Sequence, residues 1–409
     1  MLTNIKSKFL LIKIFSNIKE RIKLKIVKHN KKISNQLNIT KENFIVFESL
    51  KVFNKRFGAD IRDIEIEELD LRNKKITSAE FEYFDAIKFK RLRYLDLSDN
   101  RIRDIDLLEK VDLKLLNYLD LGKNIIKDIN ILEKMDCKEL KELSFLGNFI
   151  SDINVLGKVN FKKLKILYLN GNKISDINIF EKVNFKELKI LFLSNNQITD
   201  INVFEKANFK ELKELILSTN KILNFGSLER VQFEKLQNLS LGNNNQIDNI
   251  NLLKNVNFKK LLSLELQYLS ISNISILAEV NFKELRILNL NNNNISDINI
   301  LEKVNFKELK ELHLRNNQIS DINVFEKVNF KKLKIFYLNN NKISNIDVFG
   351  KVQFEQLEKL DLSKNQISNI KSLKGFNLEI LYLDNNIINK EDHSEIISFF
   401  KSNIKFFKI

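Results

Sequence analysis

Residues 188–204 read LKILFLSNNQITDINVF, and this stretch decides how the chain folds. Leu191 and Leu193 alternate with residues of no fixed type, so one face of the segment is apolar. A period of two is typical of a short β-strand with one buried face. Asn196 then ends the strand, and Ile198 and Ile201 follow as inward residues. The stretch therefore predicts a strand, a tight bend and a short return segment.

The same pattern recurs along the chain, mostly at intervals of 24 residues. Phe185 and Phe209 are 24 apart, whereas one interval, Phe233 to Phe258, is 25 and the last is 22. One strand cannot bury its apolar face alone, so successive units must stack their strands into a parallel sheet. One column of large apolar residues marks the units and predicts a packed spine: Phe89, Leu113, Cys137, Phe161, Phe185, Phe209, Phe233, Phe258, Phe282, Phe306, Phe330, Phe354 and Phe376.

The unit LxxLxLxxNxIxxIxxF resembles the leucine-rich-repeat family over roughly residues 64–390. Its paired isoleucines, Ile198 and Ile201 in the quoted unit, are most similar to the class found in phosphatase-regulatory subunits and bacterial internalins. The resemblance implies an α/β fold. The expected form is a right-handed curved solenoid with a concave parallel β-sheet and short helical or 3₁₀ turns on the convex side. It also implies partner binding on the concave face, and it supplies no catalytic residues.

Two polar columns repeat with the same period. A side-chain amide satisfies backbone groups at a tight bend and between neighbouring coils, so the Asn196 column predicts a structural ladder. Leu269 replaces asparagine in one unit, and we expect a local irregularity there. A carboxylate at the start of the return segment is typical of a turn or cap residue. We therefore interpret one column of aspartates as turn or cap residues, in preference to a row of metal or catalytic carboxylates. The column comprises Asp104, Asp128, Asp152, Asp176, Asp200, Asp297 and Asp321.

The ends of the chain depart from the repeat. Residues 1–40 are interpreted as a basic amphipathic arm. They contain ten lysines or arginines and one acid, so they carry +9 of the net charge of +15 of the whole chain. Residues 41–88 are interpreted as an N-terminal cap with a first atypical repeat, and 89–388 as the solenoid. Residues 389–409 are interpreted as a C-terminal helical cap. Its expected helix runs from Glu391 to Ser402, and the last coil would be covered by Phe399, Phe400, Phe406 and Phe407.

Composition gives no support to catalysis. The chain has one cysteine, Cys137, and three histidines, which lie far apart in sequence without metal-ligand spacing. None of the nine glycines forms a phosphate-binding loop. Cys137 lies in the apolar column, so it is interpreted as a buried small hydrophobe. We therefore expect no enzymatic activity, no cofactor and no metal.

The repeat pattern does not fix the identity of the outward residues of the strands, so these are the candidate binding residues. One group is a tyrosine–acid patch and another is an apolar patch. Such residues mark partner surfaces, although the preference of tyrosine, phenylalanine and isoleucine for strands also explains them. The tyrosine–acid patch comprises Tyr94, Asp96, Tyr118 and Asp120; the apolar patch comprises Ile166, Tyr168, Ile190, Phe192 and Ile216; and a weaker candidate surrounds Glu311, His313, Arg315, Ile335 and Tyr337.

These observations favour a non-enzymatic scaffold that binds a protein with a basic or apolar surface on the concave face. A regulatory subunit of a phosphatase-like enzyme and a secreted or surface adhesin of internalin type remain alternatives. Three interpretations of residues 1–35 remain open. The segment contacts an anionic membrane, or it is a targeting segment, or it is an arm attached to the solenoid without either role. Acids on the sheet argue against nucleic acid as a partner. A single cysteine fits a cytoplasmic location, with organelle targeting or secretion as alternatives.

Overall fold

The computed structural model describes residue 35 and residues 41–61, 64–87, 89–245 and 250–409. The chain divides into two compact units, Met1–Leu164 and Lys165–Ile409, which we call unit 1 and unit 2. The basic arm, residues 1–40, lies outside the described residues apart from residue 35. The predictions of an amphipathic helix and of membrane contact therefore concern a segment that the structure does not describe.

The repeat produces one three-residue strand per coil, as the alternating leucines predict. Unit 1 contains β1 (Glu68–Asp70), β2 (Tyr94–Asp96), β3 (Tyr118–Asp120) and β4 (Glu142–Ser144). Unit 2 contains β5 (Ile166–Tyr168), β6 (Ile190–Phe192), β7 (Glu214–Ile216), β8 (Asn238–Ser240), β9 (Ser263–Glu265), β10 (Ile287–Asn289), β11 (Glu311–His313), β12 (Ile335–Tyr337), β13 (Lys359–Asp361), β14 (Ile380–Tyr382) and β15 (Phe406–Lys408).

Within each unit, neighbouring strands pair in parallel and in register. Leu191 of β6 lies opposite Leu215 of β7, for example, and both side chains are completely buried. The middle residue of each strand therefore points into the core, and the first and third residues point the other way. This alternation makes a leucine core on one side of the sheet and leaves the other side free to vary.

Short 3₁₀ turns connect the coils on the side away from the sheet, as expected from the shortness of the return segment. The turn Asn202–Glu205 buries Val203 and Phe204. Immediately before it, Asp200 Oδ1 accepts a hydrogen bond from the backbone N–H of Asn202 at 2.8 Å. The same contact is present at every aspartate of that column, so the turn interpretation of these carboxylates is confirmed.

The asparagine ladder is also confirmed. The Nδ2 group of Asn220 donates to the carbonyls of Leu193, at 2.9 Å, and Leu217, at 3.0 Å. Its Oδ1 accepts from the backbone N–H of Ile198 in the preceding coil, at 3.0 Å. Asn220 thus satisfies buried backbone groups of two neighbouring coils, and the Leu193 carbonyl also accepts from Nδ2 of Asn196 at 3.1 Å.

Two of the described coils lack the ladder asparagine, and in both of them the asparagine of the next coil makes an additional backbone contact. Where Leu269 stands, Asn293 Oδ1 of the next coil accepts from two backbone N–H groups, those of Leu269 and Ile271. Asn100 does the same for the coil in which Lys74 occupies the asparagine position. In both coils the residues on either side of the missing asparagine have positive φ. These residues are Tyr268 and Ser270 around Leu269, and Asn73 and Lys75 around Lys74. The expected irregularity at Leu269 is present.

The phenylalanine column is buried except for the half-buried Phe376, and its rings contact the phenylalanines of the 3₁₀ turns. Phe209 lies edge-on to Phe180 with ring centroids 5.7 Å apart, and Phe233 lies edge-on to Phe204 at 5.9 Å. Such pairs add to the free energy gained by burying the rings. The column is therefore the spine of the core, and Cys137, which takes its place in one coil, is equally buried.

Helices lie at both ends. Helix α1 (Lys41–Phe57) places Phe53 against Phe84 of α2 (Glu82–Ile87), with ring centroids 5.4 Å apart. At the C-terminal end, α3 (Ser394–Asn403) buries Phe400, which contacts Phe407. Two features of this end go beyond the expected helical cap. Phe399 and Phe406 are 43% and 53% exposed, and residues 406–408 add a strand, β15, that the sequence pattern does not predict.

Candidate protein-binding surface

Within each unit, the first and third residues of every strand lie on one side of the sheet, which we call the outer sheet face of that unit. Ladder asparagines and core leucines fix the backbone beneath it. The ladder and the core therefore hold the side chains of this face at strand spacing, whatever the residue type at each outward position. Sequence variation on the outer sheet face alters the surface without altering the fold.

An apolar patch lies on this face in unit 2. The rings of Tyr168 and Phe192 are stacked, with centroids 5.0 Å apart and planes 18° from parallel. Ile190 is paired in register with Ile166 on the preceding strand, and Ile216 follows Phe192 on the next strand. All five side chains are half-buried. The predicted apolar patch is thus assembled, and the strands that follow carry polar residues in the same columns: Asn238, Ser240, Ser263 and Glu265.

A second pair of aromatic rings lies on the outer sheet face of unit 1. Tyr94 and Tyr118 stack with centroids 4.3 Å apart and planes 8° from parallel. The hydroxyl of each tyrosine donates to the carboxylate two residues later, in Asp96 or Asp120, at 3.3 Å. Burial first, and the neighbouring carboxylates second, raise the pKa of both tyrosines, so their hydroxyls keep their protons.

The two aspartates of this patch differ in accessibility. Asp96 is only 2% exposed, and its Oδ1 accepts from both the backbone N–H and the hydroxyl of Ser98. Its Oδ2 lies 3.4 Å from Arg72 Nε. Asp96 therefore belongs to an internal network and offers little surface to a partner, contrary to the expectation for this residue. Asp120 is half-buried and stays a candidate.

Glu142 is a member of this surface that sequence reasoning missed. It stands on β4 beside Tyr118 of β3, with which it is paired in register. Burial, and then the negative charge of Asp120, raise the pKa of the Glu142 carboxyl. The signal was present in the sequence, because Glu142 occupies the same column as Tyr94 and Tyr118.

The weaker candidate is also assembled. His313 lies beside Tyr337, with ring centroids 5.0 Å apart, and its Nε2 is 3.2 Å from Glu311 Oε2. Burial lowers the pKa of His313, although the hydrogen bond and charge of Glu311 oppose this. The imidazole is therefore held neutral at physiological pH. Ile335 is half-buried on the same strand as Tyr337, and Arg315, two residues beyond His313, is exposed.

Nothing in the described part of the chain resembles a metal centre. Among the residues that the structure describes, no three His, Cys, Asp or Glu side chains form a cluster able to hold a metal ion. The helices within the described ranges include none with the length and apolar character needed to cross a membrane.

The repeats match a known family model. The model described as "Leucine Rich repeats (2 copies)" matches residues 90–134, 138–182 and 307–351. The chain is a leucine-rich-repeat protein. No curated protein matches the sequence.

Solved structures of leucine-rich-repeat proteins share this fold. An internalin, InlF, from Listeria monocytogenes is 26% identical, with a TM-score of 0.66, and the match covers 91% of this chain and 96% of that one. A leucine-rich-repeat protein of Leptospira interrogans is 23% identical, with a TM-score of 0.57 and coverage of 84% and 96%. A plant peptide hormone receptor, solved in a complex, is 21% identical, with a TM-score of 0.56, and the match covers 78% of this chain and 52% of that one. The repeats of this leucine-rich-repeat protein are therefore of internalin type.

Proposed function

We propose that this leucine-rich-repeat protein is a non-enzymatic scaffold that binds a partner protein on its outer sheet face. The observation that carries the proposal is the apolar patch of unit 2, with its stacked Tyr168 and Phe192. Contiguous apolar area on a surface marks partner sites, and buried aromatic rings dominate binding energy at interfaces. The rings are already held together in the free protein, so little side-chain entropy is lost on binding.

The test compares capture of a partner from a lysate of the source cell by three full-length proteins. They are the wild type, the double variant Tyr168→Asp with Phe192→Asp, and a matched control, Tyr268→Asp with Ile387→Asp. The control residues are 56% and 68% exposed and lie off the outer sheet face. Both variants add two negative charges to unit 2 and remove two large apolar side chains.

The expected outcome is a partner that wild type and control retain and the patch variant loses. The purified partner should then bind the patch variant at least about a hundredfold more weakly, because hot-spot residues contribute about 2 kcal/mol or more each. Circular dichroism establishes that all three proteins fold. Equal capture by all three would contradict the assignment of the patch. A captured phosphatase would make the scaffold a regulatory subunit.

A second candidate is a surface adhesin, which the likeness to the Listeria internalin over most of both chains supports. The two candidates differ in location, since we place the scaffold in the cytoplasm on the basis of its single cysteine. Biotinylation of intact source cells with a reagent that does not cross membranes distinguishes them. Labelling of the protein supports the adhesin, and labelling only after lysis supports the cytoplasmic scaffold.

A further inference from the structure

The outer sheet face of unit 1 is acidic in a chain whose net charge is +15. Five of its eight strand positions are carboxylates, two are tyrosines and one is a serine, and none is basic. These positions are Glu68, Asp70, Tyr94, Asp96, Tyr118, Asp120, Glu142 and Ser144.

Two of the carboxylates are neutralised by the protein itself. Arg72 lies 3.0 Å from Asp70 and 3.4 Å from Asp96. Asp120 and Glu142 have no such partner: within the described ranges, no lysine, arginine or histidine nitrogen lies within 4.0 Å of either. Among the described residues, the Asp120 carboxylate receives two uncharged donors, the backbone N–H of Gly122 at 2.7 Å and the hydroxyl of Tyr118 at 3.3 Å.

The carboxylates of Asp120 and Glu142 repel each other. Both are half-buried, and the charge of Asp120 acts on Glu142 in the direction that disfavours its ionisation. A cation placed between them would remove this repulsion and replace lost hydration. The stacked rings of Tyr94 and Tyr118 stand next to the carboxylates on neighbouring strands. An aromatic surface beside a carboxylate attracts ammonium and guanidinium groups through both the ring quadrupole and the charge.

We propose that Asp120 and Glu142, together with the Tyr94–Tyr118 stack, bind a lysine or arginine side chain in a basic segment of the partner protein. The inference rests on the proposed function, since it names the chemistry of what docks on the outer sheet face. A basic segment is favoured over an acidic or purely apolar one because the strand positions of this face carry five carboxylates. Neighbouring strands are about 4.8 Å apart, so one segment crossing β2 to β4 reaches all four residues.

The test uses a library of random dodecapeptides displayed on phage, selected for binding to the full chain. The selected peptides are then measured against three variants. Asp120→Asn with Glu142→Gln removes the charges of these two carboxylates and keeps their shape. Asp128→Asn with Glu133→Gln removes two charges from the 3₁₀ side of the same unit. The amide that Asp128→Asn introduces still accepts the turn hydrogen bond, as Asn273 does elsewhere. The third is the apolar-patch variant, Tyr168→Asp with Phe192→Asp.

The expected result is a set of peptides that contain lysine or arginine. Their affinity should fall about tenfold or more in Asp120→Asn, Glu142→Gln, stay unchanged in the charge-matched control, and weaken as salt increases. Peptides without basic residues, or with equal affinity for both charge variants, would overturn this inference. If such peptides still depend on Tyr168 and Phe192, the proposed function stands, whereas peptides that depend on neither patch would contradict both.

One further outcome concerns the chain's own residues 1–40, which carry nine net positive charges. The selected peptides are also measured against the full chain in which the lysines of this arm are replaced by glutamine. Unchanged affinity supports a basic segment of another protein as the occupant. An affinity more than about tenfold higher than for the wild type would show that the arm competes for the site. That result would overturn the proposal of a separate partner.

Discussion

The side chain of Asn196 satisfies the backbone of Ile174 across the boundary between two coils. The N–H of Ile174 donates to Asn196 Oδ1 at 3.0 Å, while Asn196 Nδ2 donates to the carbonyls of Leu169 and Leu193 at 3.0 and 3.1 Å. One buried amide therefore links the bends of neighbouring coils. Each coil depends on the next for this contact, as expected of a repeat protein whose stability is the sum of its units and their interfaces.

Replacing Asn196 with alanine should leave the buried Ile174 N–H without a partner. The carbonyls of Leu169 and Leu193 keep the Nδ2 groups of Asn172 and Asn220 as donors, at 3.0 and 2.9 Å. We expect a loss of about 1–3 kcal/mol for the unsatisfied N–H. Hydrogen exchange should accelerate at Ile174 in particular, and the midpoint of urea unfolding should fall. Gln197→Ala, at the exposed neighbouring position, is the control. If exchange at Ile174 were equally slow in both variants, the ladder would not contribute to stability.

Phe185→Ala should test the spine of the core. Phe185 is 1% exposed, so its removal leaves a cavity in a packed interior and should cost about 3–5 kcal/mol. Leu223, which is 67% exposed, offers a matched truncation that should change stability by less than about 0.5 kcal/mol. Unfolding in urea measures both. Similar small losses in the two variants would mean that the core relaxes to fill the space left by Phe185.

Cys137 should be unreactive in the folded protein. Burial, and then the charge of Asp136, raise the pKa of its thiol to about 12. The folded pKa exceeds the unfolded one, so this burial stabilises the fold below the pKa of a free thiol, and the contribution is lost as pH rises toward 12. A thiol-specific chromophoric disulfide at pH 8 should label the protein only after unfolding in denaturant. Rapid labelling before unfolding would contradict the burial of this column.

The pKa of His313 should depend on Glu311. Burial lowers the pKa of the imidazole below its ordinary value, whereas the hydrogen bond and charge of Glu311 raise it. Glu311→Gln should therefore lower the pKa further, as followed by NMR titration of the ring protons. Because the folded pKa is depressed, the stabilisation associated with neutral His313 is present above pH about 6.5 and is lost as pH falls through the folded value. Glu308→Gln, which removes the carboxylate paired with Lys332, should leave the pKa of His313 unchanged.

Several features followed from the sequence because they depend on local pattern. Leu191 and Leu193 alternate with variable residues, which specifies a strand. The asparagine column predicts the ladder because a side-chain amide both donates and accepts at a buried bend. The aspartate column could likewise be interpreted as turn residues. Stacking of Tyr168 on Phe192 was foreseeable once the repeat length placed the two residues in one column.

Other features required the arrangement of side chains in space. Nothing in the order of residues shows that Asp96 is buried against Arg72 and Ser98, or that Asp120, its equivalent one coil later, has no cationic partner in the part of the chain that the structure describes. Glu142 could be placed beside Tyr118 from its column in the repeat, but the effect of the Asp120 charge on its carboxyl is visible only in the structure. The exposure of Phe399 and Phe406 was also decided by packing, because α3 and β15 have room to bury only some of their aromatic rings.

The sequence by itself determined the fold and the columns of the repeat, because each coil must bury the same leucines, asparagine and phenylalanine against copies of itself. The tertiary structure alone decided which outward residues are available to a partner. Availability depends on burial and on the charges within a few ångströms, and these are set by side chains from neighbouring strands that the repeat leaves free to differ.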